Sequence, residues 1–173
     1  MFKTLVPALL FALALGGPAT AHDTAFTDGA IAHIAYTAGQ IDIAAAEQAL
    51  KKSKNPEVVA FAELMVRDHN AVNEQALALL KTLAVTPEDN ATSQALSAGA
   101  DAKLADLAAL EGPAFDAAYV ANEAAYHQTV NATLADALIP AAHNAEFKAL
   151  LETGLKLFGE HQQHAERLSA MVK

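Results

Sequence analysis

The chain has 173 residues, no cysteine, and 20 acidic against 11 basic side chains, which gives a net charge of −9. The length favours a single domain, and the lack of cysteine excludes disulfides and thiolate metal sites. The acidic balance argues against nucleic acid or an anionic membrane surface as a partner.

Residues 1–21 are typical of a secretory signal. Lys3 supplies a positive charge, residues 4–15 are almost wholly apolar, and residues 19–21 form an Ala-Thr-Ala cleavage site. We expect cleavage after Ala21, a mature domain at residues 22–173 and a periplasmic location. The apolar run is shorter than the about 20 residues of a membrane span, so we expect no integral span after signal removal. An uncleaved anchor is the alternative.

The mature chain is rich in alanine and leucine and has no alternating strand pattern, which predicts an all-α fold. The first helix is predicted over residues 26–52. Asn55 as N-cap and Pro56 in the first turn predict the start of a second helix, which continues to about residue 83. Residues 91–110 form a weaker helical segment that we expect to be interrupted near Gly99.

Two more helices complete the chain. The third is predicted over residues 114–138, where Ile139 and Pro140 end it. The fourth follows Asn144 as N-cap and runs to about residue 169. Four long helices in two antiparallel pairs, joined by a long and partly helical crossover, predict a ferritin-like four-helix bundle. A plain up-down-up-down order is the alternative.

Three histidines lie on the apolar stripes of three different predicted helices: His69, His127 and His161. A buried imidazole needs hydrogen-bond partners, so one on each of three inward faces indicates a shared purpose. We expect that purpose to be a metal ion inside the bundle. The alternative is a polar core network in which each imidazole bonds an acid such as Asp42 or Asp68.

A shared site requires these side chains to lie at one height. If the crossover makes the second and third helices start at the same end, His69 and His127 each lie about 13 residues, roughly 20 Å, from it. Asp42 lies about 10 residues before the end of the first helix, and His161 about 8 before the end of the fourth. These heights agree within roughly two helical turns, which predicts one site.

Three further side chains are candidate ligands. Asp42 is a fourth ligand, a partner that orients an imidazole, or a solvated surface acid. Glu123 lies one turn before His127 on the same face and is either a ligand or an exposed acid. His164 follows His161 by three residues and either reaches the same ion or lies at the rim.

Nitrogen and oxygen ligands in a roughly tetrahedral set favour one divalent ion, zinc first, with iron, copper or nickel as alternatives. The ligands do not include a paired general acid and nucleophile, so we favour a non-enzymatic metal-binding protein in metal homeostasis or envelope stress. Two other functions stay open. One is a non-metal envelope protein that acts through partner binding or oligomerisation, and the other is a metal-dependent oxidase or hydrolase.

Several short motifs resemble one family of exported bacterial proteins, the domain-of-unknown-function family 4142. They are Asn-Pro-Glu-Val-Val at residues 55–59, Leu-Met-Val-Arg-Asp-His-Asn at 64–70, Phe-Asp-Ala-Ala-Tyr at 115–119 followed by His127, and Glu-His at 160–161. The resemblance covers about residues 26–168. It implies a ferritin-like four-helix bundle in the bacterial envelope and no defined activity.

The chain departs from this family at the candidate ligands. Family members usually have Glu near position 42, an apolar residue at the position of Glu123, and no histidine like His164. Di-iron ferritins place a Glu three residues before a His on two helices, whereas Val66 and Phe158 occupy those positions here. The sequence therefore favours a single-ion site over a bridged di-iron centre.

Overall fold

The computed structural model describes residues 26–172, and the predicted signal segment lies outside them. The helices are α1 (Asp28–Lys52), α2 (Pro56–Thr82), α3 (Ala91–Ala108), α4 (Gly112–Thr133), a π-helical turn (Leu134–Leu138), α5 (Ile139–Ala141) and α6 (Ala145–Met171). No strand occurs between residues 26 and 172. The predicted all-α class is therefore confirmed.

Two predicted helix starts are confirmed by their caps. The Asn55 side chain accepts a hydrogen bond from the backbone N–H of Glu57 at 3.0 Å, and Pro56 is the first residue of α2. The Asn144 side chain accepts bonds from the N–H groups of Glu146 and Phe147 at the start of α6. Each cap satisfies amides that have no partner inside the helix.

One predicted break is wrong, and one predicted helix end lies three residues too early. α3 runs without interruption through Gly99, because one exposed glycine costs a helix only about 1 kcal/mol. The chain also stays helical through Pro140 as far as Ala141. A proline lacks an N–H and its ring clashes with the carbonyl four residues earlier. Here the wider π turn precedes it, and the N–H of Ile139 donates to the carbonyl of Leu134.

α3 lies along α1 and carries the chain from one end of the molecule to the other. The N–H of Glu88, just before α3, donates to the carbonyl of Gly29 at the start of α1. At the far end, Lys52 Nζ donates to the carbonyls of Ala108 (2.7 Å) and Leu110 (2.8 Å). α3 is therefore parallel to α1, and α2 and α4 start at the same end.

α6 starts at the opposite end. The carboxylate of Asp28, in the first turn of α1, accepts bonds from the N–H groups of His143 and Asn144. α1 packs against α2 and α4, and α6 packs against the same two helices. Each of these packed pairs is antiparallel. That the arrangement is ferritin-like stays a prediction.

Two apolar clusters fill the interior near the two ends of the long helices. One is centred on Val58, Phe61, Met65, Phe115, Tyr119 and Leu168, and the other on Ile31, Ile34, Leu134, Leu138, Phe147 and Leu151. The buried polar side chains described below lie between the clusters. Among the helices of residues 26–172, none has the length and apolar composition needed to cross a membrane.

Candidate metal centre

Five ionisable side chains are buried between the two apolar clusters. Their exposed fractions are 5% or less, and they come from all four long helices: Asp42 from α1, His69 from α2, Glu123 and His127 from α4, and His161 from α6. His69 and His127 lie 13 and 15 residues after the starts of their helices, and Asp42 and His161 each lie 10 residues before the ends of theirs. These four side chains are therefore level.

The three imidazoles face one another. Their ring centroids are 5.6 Å apart for His69 and His127, and 5.5 Å from each of these to His161. One nitrogen of each ring lies within 4.8 Å of the others. The side chain of Phe158 stacks on the His69 ring at 4.7 Å and nearly parallel, which fixes the plane of that ring.

Asp42 lies next to two of these imidazoles. Its Oδ2 lies 3.5 Å from His69 Nε2 and 3.4 Å from His127 Nε2. Both distances exceed the roughly 2.7–3.2 Å of a good hydrogen bond to nitrogen. They match the edge of a tetrahedron, about 3.4 Å, around an ion with bonds of about 2.0–2.1 Å. The Asp42 oxygen thus lies at the distance from each of these two nitrogens that a second ligand of the same ion would have.

These atoms also have no other partners. Among residues 26–172, both nitrogens of His69, His127 Nε2, His161 Nδ1 and both oxygens of Asp42 make no hydrogen bond. A buried polar atom without a partner costs about 1–3 kcal/mol. The alternative of a closed hydrogen-bond network would need these bonds. Of the imidazole–acid hydrogen bonds in such a network, only the one between His161 and Asp68 is formed.

Two imidazoles are oriented by bonds through their other nitrogen. His127 Nδ1 lies 3.1 Å from the backbone oxygen of Glu123, and His161 Nε2 lies 3.0 Å from Asp68 Oδ2. Donation at these nitrogens leaves the lone pairs of His127 Nε2 and His161 Nδ1 free. Arg67 Nε holds the other oxygen of Asp68 at 2.7 Å. Such contacts are typical of imidazoles that bind metal.

The site disfavours positive charge on its imidazoles. Burial lowers the pKa of His69 to about 3 and that of His127 to about 4, and it also lowers the pKa of His161. All three are therefore neutral near pH 7, and the neutral form is the one that binds a metal ion.

The pKa values of the two buried carboxyl groups are raised, whereas those of the imidazoles are lowered. Burial raises the pKa of Asp42 to about 7. Burial, followed by the nearby charge of Asp42, raises the pKa of Glu123 well above its ordinary value. Asp42, Glu123 and His127 form a second group with ligand atoms within 4.8 Å. The alternatives of a solvated Asp42 and an exposed Glu123 are wrong, because both side chains are buried.

His164 lies outside both groups of ligand atoms. Its ring packs edge-on against Phe61, with centroids 5.0 Å apart. Three residues along a helix turn a side chain by about 300°, so His164 lies to one side of His161 and contacts α2. The structure brings together five of the six candidate ligands and leaves this one apart.

Two contacts of the site go beyond the candidate ligands. Asp68 bonds an imidazole, as the alternative of a polar network predicts, and that imidazole is the one of His161. The stacking of Phe158 on His69 has no signal of its own, because a phenylalanine on an apolar stripe is read as core.

A family model described as "Domain of unknown function (DUF4142)" matches residues 14–168 of the chain. This range includes every motif that carried the resemblance. No curated protein and no solved structure matches the chain.

Proposed function

Because the chain belongs to the family described as "Domain of unknown function (DUF4142)", whose name specifies no activity, we propose a function from its own residues. We propose that the chain is an exported metal-binding protein with a ferritin-like four-helix bundle. It holds one divalent ion, zinc first, through His69, His127, His161 and Asp42, and it serves metal homeostasis or the response to envelope stress.

One observation carries the proposal: the lone pairs that face the centre of the bundle have no partner. Asp42 Oδ2 lies at the distance of a tetrahedral edge from His69 Nε2 and from His127 Nε2. One nitrogen of each of the three imidazoles lies within 4.8 Å of the others, and His161 Nδ1 is the nitrogen left free on its ring. Four buried orphan atoms cost several kcal/mol at about 1–3 kcal/mol each. One ion would satisfy all four.

The ligand types favour zinc, since three imidazoles and one carboxylate close a four-coordinate set of the kind zinc prefers. A closed set favours storage, buffering or structural use over catalysis, which needs an open position. Glu123 beside Asp42 supports the set by holding a proton that it can donate to Asp42. Val66 and Phe158 occupy the places of bridging glutamates, so a bridged di-iron centre is not part of the proposal.

The test is elemental analysis of untagged protein purified from the periplasm. We expect about one zinc per chain in the wild type. His69→Ala, His127→Ala and His161→Ala should each lose most of it. His143→Ala is the matched control, because His143 is exposed and lies far from the site.

Wild-type metal content in all three site variants would contradict the proposal. Stoichiometric iron together with oxygen consumption would support the oxidase alternative instead. Recovery of the protein from the periplasmic fraction, with His22 as its first residue, tests the export step.

A further inference from the structure

A large cavity lies next to the candidate metal centre. Its volume is about 570 Å³, and Asp42, His69 and His127 form part of its wall. From there it extends toward the π turn and the start of α6, where Leu138 and Phe147 line it. Small-molecule pockets have volumes of roughly 300–1,000 Å³, so the cavity has the size of a binding site.

The cavity is elongated along the helices. On α1 its lining extends from Ala32 to Asp42, and on α6 from Phe147 to Phe158. At 1.5 Å per residue these spans correspond to about 15 Å and about 16 Å. A cavity of this shape fits a linear molecule better than a round one.

Most of the exposed wall area is apolar, and alanine, valine, leucine, isoleucine and phenylalanine side chains supply most of the lining. The polar side chains of the lining are the three ligand residues, Asn73, two tyrosines and three threonines. A cavity lined in this way does not hold water well, since water needs two to four polar partners. An occupant that removes apolar surface from water is favoured by about 25 cal/mol for each Å² buried. The long axis of the cavity therefore suits an aliphatic chain.

Besides the proposed metal ligands, one buried polar side chain of the wall has an atom without a partner. Asn73 lines the cavity and is only 8% exposed, and its Nδ2 donates no hydrogen bond within residues 26–172. It lies one helical turn from His69, at the metal-centre end. The Tyr126 hydroxyl, also in the wall, already donates to the carbonyl of Ala38 at 2.9 Å. The Asn73 Nδ2 donor therefore lacks an oxygen acceptor at that end of the cavity.

We propose that this cavity binds a linear aliphatic molecule with a single terminal oxygen group, the chemistry shared by fatty alcohols and fatty acids. The terminal oxygen accepts a hydrogen bond from Asn73 Nδ2, and the chain extends between the helices toward Leu138. The proposal goes beyond metal binding and does not depend on it. The ligand residues Asp42, His69 and His127 line one end of the cavity, but neither Asn73 nor the apolar side chains of the wall are proposed ligands.

The test uses the purified mature protein, stripped of bound lipid on a hydrophobic resin, with decanoate and 1-decanol as probes. Calorimetry and native mass spectrometry should show one saturable site per chain. Binding of only one probe identifies an acid or an alcohol as the natural class, and binding of both identifies the terminal oxygen alone. No saturable binding of either probe would overturn the proposal.

The decisive variant is Gly154→Leu. Gly154 is buried in the wall, and a Cβ there would make ordinary contact with Phe158 at 3.4 Å, so the leucine side chain fills the cavity. Gly159→Leu is the matched control on the same helix, where a Cβ meets no atom within 4 Å. We expect Gly154→Leu to weaken binding at least about tenfold and Gly159→Leu to leave it unchanged. Equal binding by the two variants would overturn the proposal.

Two more variants test whether a loss of binding comes from the filled cavity and where the oxygen group binds. Ala76→Leu fills the same cavity from α2 and replaces Gly154→Leu if circular dichroism shows that the latter is misfolded. Asn73→Leu keeps the side-chain size and removes the donor, so both probes should bind several-fold more weakly; wild-type affinity would refute the assignment of the oxygen to this end. Zinc content, measured on every variant, should stay at the wild-type level, which separates a failure of this proposal from a failure of metal binding.

Discussion

At the scale of single residues, burial shifts the pKa values of the ionisable groups of the site toward their neutral forms. The imidazoles of His69, His127 and His161 have lowered pKa values because they are buried. The carboxyl of Asp42 has a raised pKa for the same reason. Without an ion, the neutral imidazoles lack partners and the ionised carboxylate is poorly solvated. The free energy of unfolding of the metal-free protein should therefore depend on whether the Asp42 carboxyl is ionised.

Replacement of Asp42 by asparagine should stabilise the metal-free protein as pH rises. The folded pKa of Asp42, about 7, lies above the unfolded value of about 3.9. The folded state therefore holds more protons between these values, and the stability that this provides is lost as pH rises through about 7. The stability of Asp42→Asn relative to wild type should increase by about 2–3 kcal/mol between about pH 5 and about pH 8.5.

Urea denaturation of chelator-treated protein at the two pH values measures this difference. Asp101→Asn, at an exposed position on α3, is the control and should follow the wild type. Saturating zinc should reverse the order, because only the wild type then has the full ligand set. A pH profile of Asp42→Asn parallel to that of wild type would show that Asp42 is not strained by burial.

Asp68 should affect metal affinity without touching the ion. Its carboxylate accepts the bond from His161 Nε2 at 3.0 Å and so directs Nδ1 to the centre. Loss of such an orienting partner typically costs about 10- to 100-fold in metal affinity. Competition with a chromophoric chelator should show a loss of this size in Asp68→Ala. Asp106→Ala, an exposed acid on α3, should retain wild-type affinity, and equal values for the two variants would exclude the orienting role.

At the scale of helices, two glycines with similar surroundings in the sequence have opposite roles. Gly29 lies in the first turn of α1, where a Cβ would come within 2.6 Å of the backbone oxygen of Thr86. The N–H of Glu88 donates to the carbonyl of Gly29, so the loop before α3 cannot move away freely. Gly99 lies in the exposed middle of α3, where a Cβ meets no atom within 4 Å.

Alanine at these two positions should therefore change stability in opposite directions. Gly29→Ala forces backbone against Cβ and should lower the free energy of unfolding by about 1–3 kcal/mol. Gly99→Ala gains helix propensity and should raise it by about 0.5–1 kcal/mol. Urea midpoints of both variants measure the effects. A loss of stability in Gly99→Ala would mean that α3 is not a continuous helix in solution.

At the scale of the whole molecule, Lys52 joins the second end of the crossover, where α3 ends and α4 begins, to the end of α1. Its Nζ donates to the carbonyls of Ala108 and Leu110 and to Glu111 Oε1 at 2.7 Å. These bonds hold the end of α3 against the end of α1 and set the place where α4 starts. The same contact therefore contributes to the level alignment of the ligands.

Lys52→Ala should lower the free energy of unfolding by about 1–3 kcal/mol, because hydrogen bonds to a charged donor contribute about 1.5–3 kcal/mol and water can replace part of that. Its neighbour Lys51 has a side chain that is 75% exposed, so Lys51→Ala should change stability by less than about 0.5 kcal/mol. Thermal unfolding of both variants distinguishes them. Equal melting temperatures would show that water replaces the Lys52 contacts at no cost.

The sequence predicts correctly those features that depend on a single helix. Apolar periodicity placed His69, His127 and His161 on inward faces, and caps such as Asn144 placed the helix starts. The sequence does not predict features that depend on the packing of several helices. Glu123 is buried by neighbours on other helices, whereas acids are mostly exposed. The cavity is the space left between five helices, which no single stretch of sequence encodes.

The ligands proposed for the ion come from four different helices, and this links the ion to the time course of folding. Asp42 and His161 are separated by 119 positions along the chain. The complete set exists only after α6 has docked, so an ion held there contributes little to the folding transition state. Interactions of that kind slow unfolding rather than speed folding. Retention of the ion would then prolong the lifetime of the folded chain among the proteases of its surroundings.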